Sequence, residues 1–440
     1  MKTEIFDSRM VMPFKPFKHG CIVFGGYFGD EGKGKIIDIF AREYKQDNFR
    51  ILSIRGQGSG NAGHTVKVDG KSYDFHYLTS AGLSADIMLL GAGMLIDPIR
   101  MLKEAKQLPP EKREVIMVDE RATLVTNVER YMDAWCESER SSKGQKTIGT
   151  TKSGVGPGVG NRGFRFNVTF ADALKCKNEE ELCMMYWRNP IFPEQAKLVM
   201  TKEYASELLD AIHNINIVNG QKLISNRRGE PGWAILLEVS QAVCLDPLFG
   251  NSGHFTTSSP CTDIGAAASA GLTMKDFKEG SYMVLKAYGS KVGGGPFVTK
   301  FNEDEAKIAD IIYDLVGECG VTTGRKRMLG WFDGPAVRHS IGLTGAEICL
   351  NCMDVMANLS TVTDKLKICY AYKNKLTGKT EYDWPYHLED YEPLYMEVPI
   401  TGKTREEIYT EYLEKIETVI GKKVRFYGVG PSNKDLIQRF

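Results

Sequence analysis

Short apolar runs recur along the chain and predict β-strands. They occupy residues 21–27, 50–56, 87–93, 233–239 and 424–430, and most of them end in glycine. The runs are apolar throughout rather than alternating between apolar and polar positions, which is typical of strands buried on both faces of a parallel sheet. We therefore expect these strands to lie inside a sheet that is covered on both sides.

Helix-like patterns lie between the runs. Behind Lys35, apolar residues repeat at the spacing of a helix that buries one face. Near the end of the chain the same spacing runs from Ile408 to Ile420, behind Thr404, a residue type that caps helices. The alternation of strands and helices predicts an α/β fold with a large, mostly parallel central sheet flanked by helices.

Residues 170–230 have a different pattern. They contain charged, helix-like segments and few strand signals, so we predict a helical insertion there. No internal repeat, low-complexity tract or flexible linker divides the sequence. We therefore expect a single domain over residues 1–440 that carries this insertion.

The composition excludes several kinds of partner. Hydrophobic residues make up 42% of the 440 residues, and 56 basic residues balance 56 acidic ones. A chain without net charge has no general basic field to hold nucleic acid. No apolar run approaches the length of about 18 residues that a membrane span needs, and the first residues mix charges with prolines where a signal peptide would be apolar. We expect no nucleic-acid partner, no membrane partner and a cytoplasmic location.

The cysteines do not suggest a disulfide framework, because the sequence has ten of them at irregular spacing. Cys349 and Cys352 are spaced as C-x-x-C. A zinc site would need a second pair of Cys or His ligands, and none stands nearby in the sequence. We interpret both residues as positions on a buried strand.

The first motif with chemical content is a glycine-rich loop at residues 29–35. Its sequence, GDEGKGK, follows a predicted strand and opens a predicted helix. In this context backbone N–H groups and the helix N-terminus can hold phosphate. Ile36 stands where such loops often carry a Ser or Thr ligand of Mg²⁺, so another oxygen must hold the metal, and Asp30 is the candidate. A glycine-rich turn without a ligand is the alternative.

A second glycine-rich segment, residues 54–66, leaves backbone open to a closely fitting ligand and ends at His64. The imidazole of His64 can donate a hydrogen bond or a proton. Taken alone, a histidine in such a loop is more often structural than catalytic, so its role depends on the neighbouring motifs.

Two further segments combine hydroxyls with arginines. Residues 146–166 contain Thr150, Thr151 and Ser153 followed by Arg162, a composition that suits phosphate binding and equally suits a surface loop. Residues 322–327 hold two threonines and three basic side chains. Arginines in such a loop favour recognition of a carboxylate or a phosphate.

In this order, the motifs resemble those of the adenylosuccinate synthetase family over most of the chain. The matching segments are GDEGKGK (29–35), NAGHT (61–65), IGTT-x-S-G-x-GP (148–157), VGGGPFVTKF (292–301), TTGRKR (322–327) with GWFD (330–333), and GVGP (428–431). The segment LLGAGMLIDP (89–98) is closer to archaeal and viral members than to the common bacterial ones.

The resemblance implies a phosphoryl-transfer centre. Asp30 would act as general base on the purine N1 proton and as a ligand of Mg²⁺, with the carbonyl of Gly63 as a second ligand. His64 would hydrogen-bond the γ-phosphate oxygens, and Lys33 with Gly32 would contact the transferred phosphoryl group.

The resemblance also implies binding residues for each substrate. GTP, with ATP as a possible substitute, would bind through Gly29, Gly32, Gly34 and Lys35 at the phosphates and through Asp354, Gly430 and Pro431 at the guanine. The purine monophosphate would bind Asn61, Thr151, Arg162, Gln241 and Thr257, and L-aspartate would bind Thr323, Arg325 and Arg327. Arg162 would reach in from the partner of a homodimer.

The implied reaction joins IMP and L-aspartate with GTP to give adenylosuccinate, GDP and phosphate through a 6-phosphoryl-purine intermediate. Two alternatives stay open: a viral-type relative that ligates aspartate to dGMP, and a nucleotide-binding switch without ligation. The departures from the family pattern, Gly60 beside NAGHT and Cys352 in place of a lysine, bear on which purine is accepted and how strongly guanine is preferred.

Overall fold

The computed structural model describes residues 14–68, 71–250, 254–320 and 324–439. The strands, in chain order, are β1 (His19–Gly25), β2 (Arg50–Gly58), β3 (His64–Val68), β4 (Lys71–Phe75), β5 (Ile87–Ile96), β6 (Ile116–Asp119), β7 (Thr123–Leu124), β8 (Ile217–Val218), β9 (Trp233–Ala242), β10 (Gly280–Lys286), β11 (Gly289–Lys291), β12 (Met328–Gly330), β13 (Phe332–Asp333), β14 (Glu347–Asn351), β15 (Lys365–Asn374), β16 (Thr380–Glu381), β17 (Tyr391–Pro399), β18 (Val424–Gly428) and β19 (Leu436–Gln438).

The α-helices are α1 (Lys33–Gln46), α2 (Pro98–Ala105), α3 (Pro110–Arg113), α4 (Asn127–Ser142), α5 (Val155–Phe164), α6 (Phe170–Ala173), α7 (Glu179–Trp187), α8 (Glu194–Lys197), α9 (Lys202–His213), α10 (Gly220–Gly229), α11 (Asp263–Ser269), α12 (Ala306–Val316), α13 (Gly334–Thr344), α14 (Met353–Asn358) and α15 (Arg405–Ile420). Over the described ranges, none of these helices has the length and apolar character needed to cross a membrane.

One large sheet organises the fold. In the described part of the chain it has eleven strands, in the order β19-β18-β14-β10-β1-β9-β2-β5-β6-β8, with β7 beside β5. Its neighbouring strands are parallel except for β18 and β19. The five apolar runs supply β1, β2, β5, β9 and β18. The predicted α/β fold with a mostly parallel central sheet flanked by helices is therefore confirmed.

Apolar side chains cover both faces of this sheet, which explains why its strands are apolar at every position. Along β1, Ile22 and Phe24 belong to the core on one face, whereas Cys21 and Val23 pack with Ile37 of α1 on the other. The predicted helix behind the glycine-rich loop is thus present as α1, and its apolar stripe faces the sheet.

Helices α6–α10 occupy most of residues 170–229, with the two-residue strand β8 among them. Their buried side chains Leu182, Leu208 and Ile212 share a core with Leu90 of β5 and Val118 of β6. This helical segment therefore packs on the β5–β6 side of the sheet. The division of the chain into a single domain with an insertion stays a prediction.

The C-x-x-C pair is only partly a strand feature. Cys349 is buried on β14, but Cys352 follows the strand with a φ of 65°, at the residue before α14. Our interpretation of both cysteines as strand positions was wrong for Cys352, because the chain turns after Asn351 into a short helix.

Helix α15 begins at a capping box, as the Thr404 signal predicts. The backbone N–H of Thr404 donates to Glu407 Oε2 at 2.8 Å, and the backbone N–H of Glu407 donates to Thr404 Oγ1 at 3.3 Å. These bonds satisfy two donors that the first helical turn would otherwise leave unpaired.

We predict that Thr404→Ala lowers the free energy of unfolding by about 1 kcal/mol, the usual cost of losing an N-cap side chain. Urea unfolding followed by circular dichroism measures the change. Thr410→Ala, inside the same helix, is the matched control, and we expect it to be neutral or slightly stabilising because alanine has the higher helix propensity. Equal losses from both substitutions would contradict the capping role.

Candidate active site

Two cavities lie beyond the carboxyl ends of the central strands, where ligands gather in parallel α/β sheets. The P-loop cavity, of about 430 Å³, is lined by residues 29–35 after β1, residues 62–66 after β2 and Gln241 at the end of β9. The threonine cavity, of about 530 Å³, is lined by Asn61, by residues 150–151 and 256–258, and again by Gln241. Gln241 therefore stands at the junction of the two cavities.

The glycine-rich loop is held in shape by its own buried acid. Glu31 accepts hydrogen bonds from the backbone N–H of Gly29 at 2.7 Å and of Tyr27 at 3.2 Å. Lys33 Nζ donates to Glu31 Oε2 at 3.1 Å and to the carbonyl of Gly29 at 2.6 Å. Gly32, in the left-handed region with a φ of 86°, is the residue from which α1 starts. The loop thus has the strand-to-helix geometry of a phosphate site.

Neighbouring strands fix the far side of this loop. Asn351, at the end of β14, donates from Nδ2 to the carbonyl of Glu31 at 2.8 Å, and Lys35 Nζ donates to the carbonyl of Gly430 at 2.8 Å. Burial lowers the pKa of Lys35. A Cβ added to Gly34 would lie 2.9 Å from Ser80 Oγ, so a side chain here would displace the hydroxyl that donates to Glu238.

Asp30 points at an arginine from a distant part of the sequence. Its Oδ2 lies 2.7 Å from Nε of Arg327, and its side chain is 30% exposed. Nη1 of Arg327 donates to the buried Glu318 at 2.6 Å. The predicted base and the predicted aspartate-binding arginine are therefore direct neighbours.

His64 begins β3 and faces the P-loop cavity. Its Nε2 lies 3.7 Å from Oε1 of Glu238 and has no hydrogen-bond partner among the described residues, although it is buried. Burial lowers the pKa of His64 to about 4, and the nearby carboxylate of Glu238 only partly offsets this effect. The imidazole is therefore neutral at ordinary pH and has a ring nitrogen available for a ligand.

The threonine cavity collects Asn61, Thr151, Gln241 and Thr257. Gln241 has a φ of 60°, and both polar atoms of its amide are buried without a hydrogen-bond partner within the described ranges. Unpaired buried amide atoms in a cavity wall favour a polar ligand there, because leaving them unpaired has a free-energy cost.

A loop contact connects this cavity to residues 324–327, here called the arginine segment. Glu137 of α4 accepts from the backbone N–H of Gly149 at 2.8 Å and of Ile148 at 3.1 Å. On the other side, Nη2 of Arg325 donates to the carbonyl of Gly149 at 2.8 Å. The backbone before Thr151 is thus held from two directions.

Some predicted site residues lie apart from the cavity walls. Arg162 donates to Thr123 Oγ1 at 2.8 Å and to the carbonyl of Met94 at 3.3 Å within its own chain, whereas its neighbour Asn161 lines the threonine cavity. Asp354, in the first turn of α14, lies outside the residues that line either cavity. Thr323 lies outside the described residues.

Sequence reasoning missed three buried carboxylates of the site. They are Glu31, Glu238 and Glu318. A usable signal existed for Glu238, which is the single charged position in the apolar run WAILLEV, and for Glu31, which lies inside the loop motif. Nothing in the local sequence around Glu318 indicates its partners.

The structure combines a parallel α/β sheet with a glycine-rich loop between strand and helix, the neutral His64, and Arg325 and Arg327 on one loop. This combination is typical of a nucleotide-binding enzyme. The family model of adenylosuccinate synthetase matches residues 22–437, and the chain belongs to that family. The prediction of a ligase of this family is thereby confirmed.

Relatives in this family are similar over nearly their whole length. The adenylosuccinate synthetase of Thermoplasma volcanium is 32% identical, covering 95% of this chain and 97% of the relative. That of Caldicellulosiruptor saccharolyticus is also 32% identical, covering 94% and 98%. An archaeal and a bacterial relative are thus equally similar, and the predicted closeness to the archaeal and viral branch is not confirmed.

Solved structures agree with this assignment. The fully ligated adenylosuccinate synthetase of Plasmodium falciparum superposes with a TM-score of 0.82 at 27% identity, covering 96% of this chain and 99% of that one. The succinoaminodeoxyadenylate synthetase of cyanophage S-2L, bound to dGMP and dATP, gives a TM-score of 0.59 at 18% identity, covering 96% and 95%. The second similarity concerns the fold alone.

We predict that the imidazole of His64 titrates with a pKa of about 4, far below its ordinary value of 6.5, because burial penalises the charged ring. Its ring-proton NMR signal should therefore stay constant above about pH 5. His64→Gln identifies the signal by its disappearance. A midpoint at or above 6.5 in the ligand-free protein would contradict the buried, neutral state.

Proposed function

We propose that the chain joins IMP and L-aspartate at the expense of GTP, giving adenylosuccinate, GDP and phosphate. The observation that carries this proposal is the junction of the two cavities. Gln241 lines both of them, and the segment from Asn61 to His64 passes from one to the other. A purine in the threonine cavity would therefore meet a phosphate held by the P-loop cavity.

In the first chemical step, Asp30 takes the proton from N1 of the purine, which makes O6 nucleophilic. O6 attacks the γ-phosphorus of GTP, the bond to the β-phosphate oxygen breaks, and GDP leaves. His64 donates from Nε2 to the oxygens of the transferred group, and Lys33 offsets their charge. For this role Lys33 exchanges its present bond to the carbonyl of Gly29 for the phosphate.

In the second step, the amine of L-aspartate attacks carbon 6 and phosphate leaves with the former O6. Phosphorylation turns that oxygen into a good leaving group. Arg325 and Arg327, with Thr323, hold the carboxylates of aspartate so that its amine meets carbon 6. Arg325 lies on the loop that carries Arg327, and it donates a hydrogen bond to the carbonyl of Gly149, which supports this assignment.

The residues fit Mg²⁺. Asp30 offers one partly exposed carboxylate, and Gly63 offers a carbonyl in the same cavity wall. Mg²⁺ commonly binds through one or two carboxylates together with substrate phosphates. The described residues form no group of three or more His, Cys, Asp or Glu side chains that could hold a metal alone, which suits a metal shared with substrate. When bound, it would neutralise charge on the phosphates.

The remaining loop residues would bind GTP. Gly29, Gly32 and Gly34 expose backbone to its phosphates, and Lys35 lies between the loop and the carbonyl of Gly430. Gly430 and Pro431 line the same cavity, which supports their assignment to the guanine pocket. Asp354, in the first turn of α14, lies outside the cavity wall, so only the family resemblance supports its assignment to the guanine.

The nucleotide monophosphate would bind Asn61, Thr151, Gln241 and Thr257, which line one cavity together. Arg162 would join them only by exchanging its present bonds to Thr123 and the strand carbonyls. We propose a homodimer because Phe164 of α5, which lines that cavity, and Trp135 of α4 are exposed apolar side chains.

We also propose that the chain works as one domain in the cytoplasm, in line with its family. Strands from both ends of the chain, β1 and β18, belong to the same sheet, which supports a single structural unit.

We predict that phosphate release requires IMP, L-aspartate and GTP together. The measurement is a matrix of purine monophosphates against GTP and ATP, each with and without aspartate. Brisk turnover of dGMP without turnover of IMP would overturn the proposed acceptor. If the chain binds nucleotide but releases phosphate at the same rate with and without aspartate and purine, the non-ligating switch is favoured instead.

We predict that Asp30→Asn lowers kcat by about 10²–10⁴-fold, the usual contribution of a general base. Asp47→Asn, at the exposed far end of α1, is the matched control and should leave kcat unchanged. Steady-state assays at saturating substrates measure both. An Asp30→Asn variant with kcat close to that of the unsubstituted protein would remove Asp30 from the chemistry.

A further inference from the structure

The guanidinium of Arg327 lies between two carboxylates of different accessibility. Nη1 donates to Glu318 Oε2 at 2.6 Å, and Nε lies 2.7 Å from Asp30 Oδ2. The side chain of Glu318 is 2% exposed, whereas that of Asp30 is 30% exposed. A ligand that enters the cavity can therefore replace Asp30 as a partner of Arg327, but it cannot reach Glu318.

Glu318 itself is held from several sides. Lys286 Nζ, at the end of β10, donates to Glu318 Oε1 at 2.6 Å, and the hydroxyl of Tyr288 donates to the same oxygen. Burial alone would raise the pKa of Glu318, but Lys286 and Arg327 outweigh this effect, so its pKa lies below the usual value. Glu318 is thus a fixed carboxylate, and its orientation depends on the rigid central sheet.

The backbone places Glu318 opposite Arg327. The N–H of Arg327 donates to the carbonyl of Glu318 at 3.0 Å, and Cys319 pairs with Lys326 in an antiparallel bridge. Residues at such opposed positions have neighbouring side chains. The side-chain contact and the backbone contact therefore act together to fix the base of the arginine segment.

Lys286, Glu318, Arg327 and Asp30 form a line of alternating charges into the cavity. Among the described residues, the buried Nε of Arg327 has no hydrogen-bond partner, so its contact with Asp30 is an ion pair without a well-aligned hydrogen bond. Removing the charge of Glu318 would leave the buried cations Lys286 and Arg327 without the carboxylate that lies between them, so Arg327 would lose its fixed position.

We propose that Glu318 is a positioning residue that fixes Arg327, so that its guanidinium passes from Asp30 to a carboxylate of the amino-acid substrate when that substrate binds. This inference rests on the proposed function. It adds to that function a residue that contacts no substrate but sets the affinity for aspartate.

The test compares Glu318→Gln with the unsubstituted protein in two assays. The first is the KM for L-aspartate. The second is aspartate-independent phosphoryl transfer, followed in GTP labelled with ¹⁸O at the β,γ-bridge as the label exchanges into the non-bridging β-positions in the presence of IMP. We expect the KM for aspartate to rise about tenfold or more, since a charge-assisted hydrogen bond on Arg327 is lost, while the exchange rate changes by less than about threefold.

Glu305→Gln is the matched control. Glu305 accepts from Lys367 Nζ at 2.6 Å and from Trp331 Nε1 at 2.8 Å, so it has a similar environment, but it lines neither cavity. We expect this substitution to leave both the KM and the exchange rate unchanged. A rise in KM equal to that of Glu318→Gln would show a general effect on the fold and would overturn the inference.

An unchanged KM in Glu318→Gln would overturn the positioning role, as would equal losses in KM and in the exchange rate. If Glu318→Gln fails to fold, Tyr288→Phe decides, because it removes only one hydrogen bond from Glu318 and should raise the KM for aspartate in the same direction. An unsubstituted protein without aspartate-dependent turnover would instead show that the proposed function, on which the inference rests, is wrong.

Discussion

The parallel pairing of β1 between β9 and β10 is the constraint on which the site depends. Because the three strands run in the same direction, the loops that follow them open at one edge of the sheet. The loop after β1 supplies the glycine-rich turn, the end of β9 supplies Gln241, and the end of β10 supplies Lys286. The apolar cores on both faces hold these strands in place, and the register between β1 and β9 shifts between Val23 and Gly25, just before the glycine-rich turn.

Charge at this edge is arranged locally, since the chain as a whole has no net charge. In the site the cations have carboxylate neighbours: Lys33 contacts Glu31, and Arg327 contacts both Glu318 and Asp30. Substrate binding would replace the more exposed of these contacts, while the buried carboxylates keep the cations in place. His64 differs because burial keeps its ring neutral, so it can donate a hydrogen bond without adding charge.

Local patterns in the sequence predicted what depends on local structure. The apolar runs gave the strands, the spacing behind Lys35 gave α1, and the Thr404 signal gave the start of α15. The contacts of Glu238 with His64 and of Asp30 with Arg327 join residues that are 174 and 297 positions apart, so only the order of strands in the sheet brings them together. The same limit explains Arg162. The composition of residues 146–166 suited phosphate binding and a surface loop equally, and the bonds of Arg162 run to the end of β5. The residue pattern also did not predict the backbone turn at Cys352.

We propose that a purine in the threonine cavity and a phosphoryl donor in the P-loop cavity meet at Asp30 and His64. A crystal structure with IMP, Mg²⁺ and a non-hydrolysable GTP analogue tests this claim most directly. We expect N1 of the purine within hydrogen-bond distance of Asp30, O6 facing the terminal phosphate, and His64 Nε2 within hydrogen-bond distance of that phosphate. A purine bound away from Gln241, or a terminal phosphate out of reach of both Asp30 and His64, would contradict it.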